Sequence, residues 1–193
     1  MIVAVSTSSP LVGVALFAED GGVIEASSVQ ARAAASGACL SLLESLLQRN
    51  GLLLHQATLF AADLGPGSFT GVKVGVTLVK TWAFAFGVPV TGADSFDLID
   101  PEGTVAIPSK RGEFFIRRVG FAAIRAPALP EGPFAGYGPG IEPQAYPSAE
   151  RFAPLLRHLP RLRPEELVPN HLLEPSISLP KKPYAAGGAA HSG

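Results

Sequence analysis

The stretch from Ala62 to Gly75, ADLGPGSFTGVKVG, holds four glycines and a proline between two apolar runs. Thr58 to Ala62 before it reads as a strand. Thr70 to Phe86 after it reads as a helix that Gly87 closes. A strand, a glycine loop and a helix in that order begin an α/β unit. A helix opening from such a loop presents backbone amides and a positive dipole end to an anion. The loop therefore has two readings. In one, Gly65, Gly67, Ser68, Thr70 and Gly71 cradle a phosphate. In the other, the glycines serve a tight turn with close backbone packing. The spacing matches neither common phosphate fingerprint: no Gly-Lys-Ser/Thr follows, because Lys73 stands two residues after Gly71, and the gap after Gly67 is one residue too long for GxGxxG.

Upstream, Ile2 to Ser6, Leu11 to Ala18 and Val23 to Val29 are apolar runs separated by a Ser-Thr-Ser-Ser-Pro cluster and by Gly21-Gly22. They predict three antiparallel strands. From Gly37 to Asn50 the period changes: Cys39, Leu42, Leu43, Leu46 and Leu47 fall three and four apart, which predicts a helix with Ser36 as its cap and Asn50-Gly51 as its stop. Val88 to Thr91 predicts a fifth strand after the second helix. Residues 1–100 thus read β-β-β-α-β-α-β, an α/β lobe.

The remainder differs in composition. All of the eighteen prolines except Pro10, Pro66 and Pro89 lie beyond residue 100. Val105 to Ile107 and Phe114 to Phe121 predict strands joined around Ser109 to Gly112. Ala126 to Pro147 reads as irregular, and Ser148 to His158 as a capped helix. Residues 101–180 read as a smaller, proline-rich second lobe and 181–193 as a disordered tail.

The chain of 193 residues is 47% hydrophobic and 16% charged, with a net charge of −1. That balance supplies ample core and argues against gripping nucleic acid by bulk charge. Cys39 is the single cysteine, so no internal disulfide forms, and its apolar surroundings make it a buried structural thiol. No signal peptide and no membrane-spanning run is read, which predicts a cytoplasmic protein. His55, His158, His171 and His191 show no metal-ligand spacing. Ser6, Ser8 and Ser9 lack a GxSxG setting. Asp63 is the carboxylate nearest the glycine loop; it reads as a loop-orienting or metal-holding group, or as a turn residue capping an amide. Asp94 and Asp97 predict a helix start. Arg111, Arg117, Arg118 and Arg125 read either as a mildly basic face or, more plainly, as a solvated strand face. Gly71 and Gly75, one turn apart, make a small-residue face that fits either core packing or a helix-on-helix contact. No catalytic constellation is assigned.

GPGSFTGVKVG closely resembles the signature of the TsaB (YeaZ) family, Gly-Pro-Gly-Ser-Phe-Thr-Gly-x-Arg/Lys-x-Gly, matched without a gap by Gly65 to Gly71, Lys73 and Gly75. IVAVSTSSPLVGVALF resembles the family's opening hairpin. VPVTGADSFDLI and SKRGEFFIRRV resemble its later segments, and LLEPSISL resembles its closing motif more weakly. The resemblance implies an actin/sugar-kinase/Hsp70-like (ASKHA, ribonuclease H-like) α/β fold of two lobes, with the second lobe short or incomplete. It implies a non-catalytic scaffold required for threonylcarbamoyl transfer to adenosine 37 of tRNA, with no metal and no cofactor of its own beyond ATP or ADP at a subunit junction. The implied partners are a metal-bearing catalytic TsaD-type subunit and a TsaE-type ATPase. Contact with tRNA would run only through that complex, and a homodimer would form when the chain is alone. Pairing is expected through the first-lobe helices, with Cys39, Leu42, Leu43, Leu46, Val72, Gly75, Val76 and Val79 as contacts. A bulky residue at Gly75 is accordingly expected to block pairing and spare the fold. Two departures stand out: Ser6 replaces the family's first-strand Asp, and Pro108-Ser109-Lys110 replaces the Asp-bearing start of the second lobe. The alternative is a nucleotide-binding ATPase or phosphotransferase using the glycine loop and Asp63. A peptidase lacks both a nucleophile–base pair and a zinc motif.

Overall fold

The computed structural model describes residues 1–31, 34–170 and 172. The proposed tail at 181–193, His171, His191 and most of the LLEPSISL match lie outside the described residues.

The first 93 residues follow the expected order: β1 (Ile2–Ser6), β2 (Leu11–Phe17), β3 (Val23–Gln30), α1 (Ala35–Arg49), β4 (Leu59–Asp63), α2 (Phe69–Phe86) and β5 (Val90–Ala93). The strands form one mixed sheet in the order β3-β2-β1-β4-β5. β1 pairs antiparallel with β2 and parallel with β4, β2 pairs antiparallel with β3, and β4 pairs parallel with β5. Hairpins suffice for the antiparallel half; the parallel half needs the helical crossovers that α1 and α2 supply. β3 is an edge strand of eight residues that exposes Val23, Ile24 and Val29.

Both central strands are buried on both faces, which is why IVAVS and LFAAD read as unbroken apolar runs rather than as alternation. One face, with Val3, Val5, Val12, Val14, Phe60 and Ala62, packs against α1 and α2. The opposite face, with Ile2, Ala4, Ala15, Phe17, Leu59 and Ala61, is covered by Ala149, Phe152 and Leu156. The chain therefore returns from the second lobe to complete the first. Leu167 joins the helix-side core, and Leu162 bridges to Val90. A boundary at residue 100 divides the two sheets but not the packing.

The second sheet is small: β6 (Val105–Pro108), β7 (Phe114–Arg117), β8 (Ile124–Ala126) and β9 (Ala135–Gly136), in the order β8-β7-β6-β9.

Several local expectations are corrected. α1 starts at Ala35 and its cap is Ala34, which makes no side-chain hydrogen bond, so Ser36 sits inside the first turn rather than capping it. β5 starts at Val90 because the chain is still closing α2: Gly87 takes φ +67° and the Val88 amide bonds to the Ala83 carbonyl. Asp94 and Asp97 begin no α-helix; residues 94–100 form tight turns that end at Pro101. β7 stops at Arg117 and turns back through Arg118 to Phe121 into β8. Residues 149–158 form a short 3-10 helix (Ala149–Phe152) and turns rather than a full helix, since Pro154 lacks the amide that a longer helix needs.

Candidate functional site

The glycine loop stands at the carboxyl end of β4, beside the turn that joins β1 to β2. Its geometry follows from that neighbour. A Cβ on Gly67 would overlap the Ser8 carbonyl oxygen, one on Gly71 the Thr7 carbonyl oxygen, and one on Gly75 the Thr7 hydroxyl. The Ser68 amide donates to the Ser8 carbonyl at 2.6 Å, and the Thr7 hydroxyl donates to the Gly71 carbonyl at 2.7 Å. Ser68 caps α2, its hydroxyl accepting from the Gly71 amide at 3.2 Å. Three glycines thus admit the Thr7–Ser8 turn, and that turn occupies the inner side of the loop.

Beneath the turn lies Asp63, 1% exposed. Its Oδ2 accepts from the hydroxyls of Ser6 (2.7 Å) and Ser8 (2.5 Å). Its Oδ1 accepts from the Gly65 amide (2.9 Å) and the Ser95 hydroxyl (2.5 Å). The register explains the meeting: Val5 stands opposite Ala62 in the parallel pair, so Ser6 and Asp63 leave adjacent strands side by side. Burial pushes the Asp63 carboxyl above the ordinary carboxylate range, and the four hydrogen bonds oppose that shift. Asp94 is also pushed up, first by burial and then by the charges of Asp97 and Asp63, while its bond from Asn170 at 3.1 Å pulls the other way.

The amide-capping reading of Asp63 holds at Gly65, but the residue is no solvated turn group. Its four-point ring of donors is not visible in any local motif, because its members come from positions 6, 8, 65 and 95. Ser6 supplies a donor where the family pattern has a carboxylate, and the carboxylate of this site stands on the neighbouring strand. Among the described residues no cluster of three or more His, Cys, Asp or Glu side chains can hold a metal. His55 and His158 are exposed, and neither bonds to these serines.

A cleft of about 1200 Å³ runs between the lobes. Gly67, Ser68, Thr70 and Gly71 line it, and Gly65 does not. Across from them stand Ser109, Lys110, Phe115, Tyr137 and Tyr146. Arg117 does not belong to an open basic face: it is half-buried, paired with Asp97 at 3.0 Å and donating to the Asp100 carbonyl at 2.6 Å. Arg125 pairs with Glu113 at 2.8 Å.

The expected contact residues fall elsewhere than predicted. Cys39, Leu43, Leu46, Val72, Gly75, Val76 and Val79 are buried within this chain, and all but Gly75 belong to the helix-side core; Leu42 is half-buried against it. They face the chain's own sheet and cannot form the outer surface of the helices. The outer stripe of α2 is Lys73, Thr77, Thr81 and Phe84, and that of α1 includes Leu40, Ser41, Glu44 and Gln48. Periodicity finds the two faces of a helix correctly, and the richer one went to the sheet. The thiol of Cys39 is pushed up to about 12 by burial, as a structural cysteine requires.

Comparison with known proteins adds to this geometry. The family model described as TsaD, tRNA N6-adenosine threonylcarbamoyltransferase, matches residues 15–100. The tRNA threonylcarbamoyladenosine biosynthesis protein TsaB of Bacillus subtilis (strain 168) is 31% identical over 102 residues, 53% of this chain and 44% of that protein. The TsaB of Haemophilus influenzae is 33% identical over 89 residues, 42% of this chain and 38% of that protein. The chain thus matches less than half the length of these relatives. Two solved structures from Pseudomonas aeruginosa share the fold. One is described as similar to peptidase YeaZ (TM-score 0.77, 19% identity) and the other as YeaZ (TM-score 0.72, 21% identity); each match covers 89% of this chain and 99% of that one. The β-β-β-α-β-α order, the glycine loop and these similarities together liken the chain to the TsaB (YeaZ) proteins, and it shares with them the ASKHA, ribonuclease H-like α/β fold.

Proposed function

We propose that the chain serves in the biosynthesis of threonylcarbamoyladenosine in tRNA as a non-catalytic, cytoplasmic subunit that supports a TsaD-type catalytic subunit. The kinship with two proteins named for that pathway carries the reading. The state of Asp63 accords with it. A carboxylate that accepts four hydrogen bonds from its own chain has no lone pair left for a metal or for an attacking group. The same point weighs against the ATPase or phosphotransferase alternative.

Pairing in this proposal uses the outer faces of α1 and α2, where Leu40 and Phe84 are exposed at 46% and 84%. Both lie on helices long enough to pack against equivalent helices of a partner. The same face would join two copies when the partner is absent. A TsaE-type ATPase completes the proposed assembly, and tRNA is met through the complex.

Reconstitution tests the role. Modification of tRNA by the catalytic and ATPase subunits should require this chain. A reaction that runs equally well without it removes the proposal. Phe84→Asp should abolish co-purification with the catalytic subunit while leaving unfolding free energy within about 0.5 kcal/mol of the original.

A further inference from the structure

The chain crosses from the second lobe back to the first at Pro147. Just before it, Tyr146 packs on Tyr137 of the second lobe, with ring centroids 5.0 Å apart. Just after it, Ala149 and Phe152 enter the core of the first sheet. Pro147 is buried, and its carbonyl accepts from the hydroxyl of Ser6, the last residue of β1, at 3.2 Å. That bond ties the crossing to the first sheet beside the ring around Asp63.

Hydroxyl protons are in short supply there. Ser6 also meets Asp63 Oδ2 at 2.7 Å, and Ser8 meets the same oxygen at 2.5 Å. Ser95 meets both Asp63 Oδ1, at 2.5 Å, and the Ser8 hydroxyl, at 2.9 Å. Each serine carries one hydroxyl proton, so three protons serve five contacts among fully buried serines. Against an ionised Asp63, the Ser6 proton goes to the nearer and charged acceptor, because charge-assisted bonds are the stronger ones. The Pro147 carbonyl then faces a hydroxyl oxygen without a proton between them. One proton on Asp63 Oδ2 changes the sharing. The carboxyl donates to Ser6, and the Ser6 proton turns to Pro147. Ser8 still donates to Oδ2 and Ser95 to Oδ1, which leaves only the Ser95–Ser8 contact without a proton.

We propose that Asp63 and Ser6 form a proton-operated latch between the lobes, closed on the Pro147 carbonyl when Asp63 is protonated and released when it is ionised. The surroundings leave the carboxyl free to exchange its proton. Asp94 and Tyr137 sense its charge, and neither is a cation. On α2, Lys73 lies over the Phe69 ring and Lys80 donates to the Leu167 carbonyl. Arg117 is paired with Asp97, and Glu150 and Arg151 of the returning segment are exposed. Burial holds the Asp63 carboxyl above the ordinary range, so the latch works at higher pH than an exposed aspartate would allow.

The test is a carbon-13 titration of the full chain from about pH 4 to about pH 9, following the Asp63 carboxyl carbon and the Pro147 carbonyl carbon. Both signals should move with one midpoint, the Pro147 signal downfield as pH falls and its hydrogen bond forms. Ser6→Ala should abolish the Pro147 movement while Asp63 still titrates. Ser8→Ala, which removes a donor that does not touch Pro147, should keep it. Asp63→Asn donates from its amide at every pH and should fix Pro147 at its low-pH position, which keeps the test decisive if Ser6→Ala does not fold. The amides of Leu155 and Leu156, which bond to the Phe152 carbonyl, should be about five-fold better protected from hydrogen exchange below the midpoint than above it, after correction for intrinsic rates. A Pro147 signal that stays still while Asp63 titrates, one that moves unchanged in Ser6→Ala, or an Asp63 carboxyl that keeps one form across the whole range would overturn the latch.

Discussion

At Asp63 a buried carboxylate takes two opposing influences. Removal from water disfavours the charge, and four short hydrogen bonds favour it. Since burial leads, the folded group releases its proton at higher pH than the unfolded one. The stability that Asp63 confers is full below the unfolded value of about 3.9, and it declines as pH rises through the raised folded value. Subtracting the unfolding free energy of Asp63→Asn from that of the original chain should therefore give a difference that grows as pH falls toward 4. A flat difference would mean that the carboxyl titrates normally. Asp63→Ala strands the hydroxyls of Ser6, Ser8 and Ser95 and should cost about 3 kcal/mol in urea unfolding. Gly75 tests another single-residue feature. A side chain there runs into the Thr7 hydroxyl, so Gly75→Val should lower stability by at least about 2 kcal/mol. This reverses the sequence-based expectation that such a change blocks pairing and spares the fold. Cys39, with its thiol pushed up to about 12, should resist alkylation in the native protein and react only on unfolding.

At the scale of elements, the legible part of this chain is the part governed by local rules. Leucine spacing in α1, the Gly87 stop of α2, and the apolar runs of β1, β2 and β4 each act over a few residues, and each was readable. The stretch from 149 to 158 misled because Phe152 and Leu156 keep helical spacing, while Pro154 between them limits the helix to a turn. β8 and β9 are short, and β9 pairs with the distant β6; no pattern of three or two residues can announce that. The ring around Asp63 was hidden for the same reason: four donors at four separate places converge only after the sheet forms. The helices add a caution about faces. Seven residues expected at a partner turned out to hold the chain's own sheet, because an apolar stripe reveals that a face is buried and not against what.

At the scale of the whole molecule, the chain returns from the second lobe to cover the first sheet. Phe152, with no exposed surface, seals the sheet face opposite the helices, while Ser6 and the Pro147 carbonyl lie 3.2 Å apart at the junction. The lobes should therefore unfold together. Trp82, tilted against Phe60 with ring centroids 5.6 Å apart in the first lobe, and the pair Tyr137 and Tyr146 in the second give separate optical reporters. Their transitions in urea should coincide. Phe152→Ala should move both midpoints together, at a cost of about 3–5 kcal/mol. Midpoints that separate would show lobes folding independently.

The open border of the first sheet bears on how the protein behaves when concentrated. Along β3 a row of unpaired amides and carbonyls runs beside exposed Val23, Ile24 and Val29, and Glu25, which bonds to Arg49 and Asn50, is the one acidic side chain on the strand. Such an edge is a template for strand addition between molecules. Its one carboxylate is already neutralised by Arg49, so solubility rather than folding free energy sets the usable concentration. A lysine at Val29 would act as a gatekeeper, raising the concentration at which the protein precipitates and leaving its melting temperature where it was.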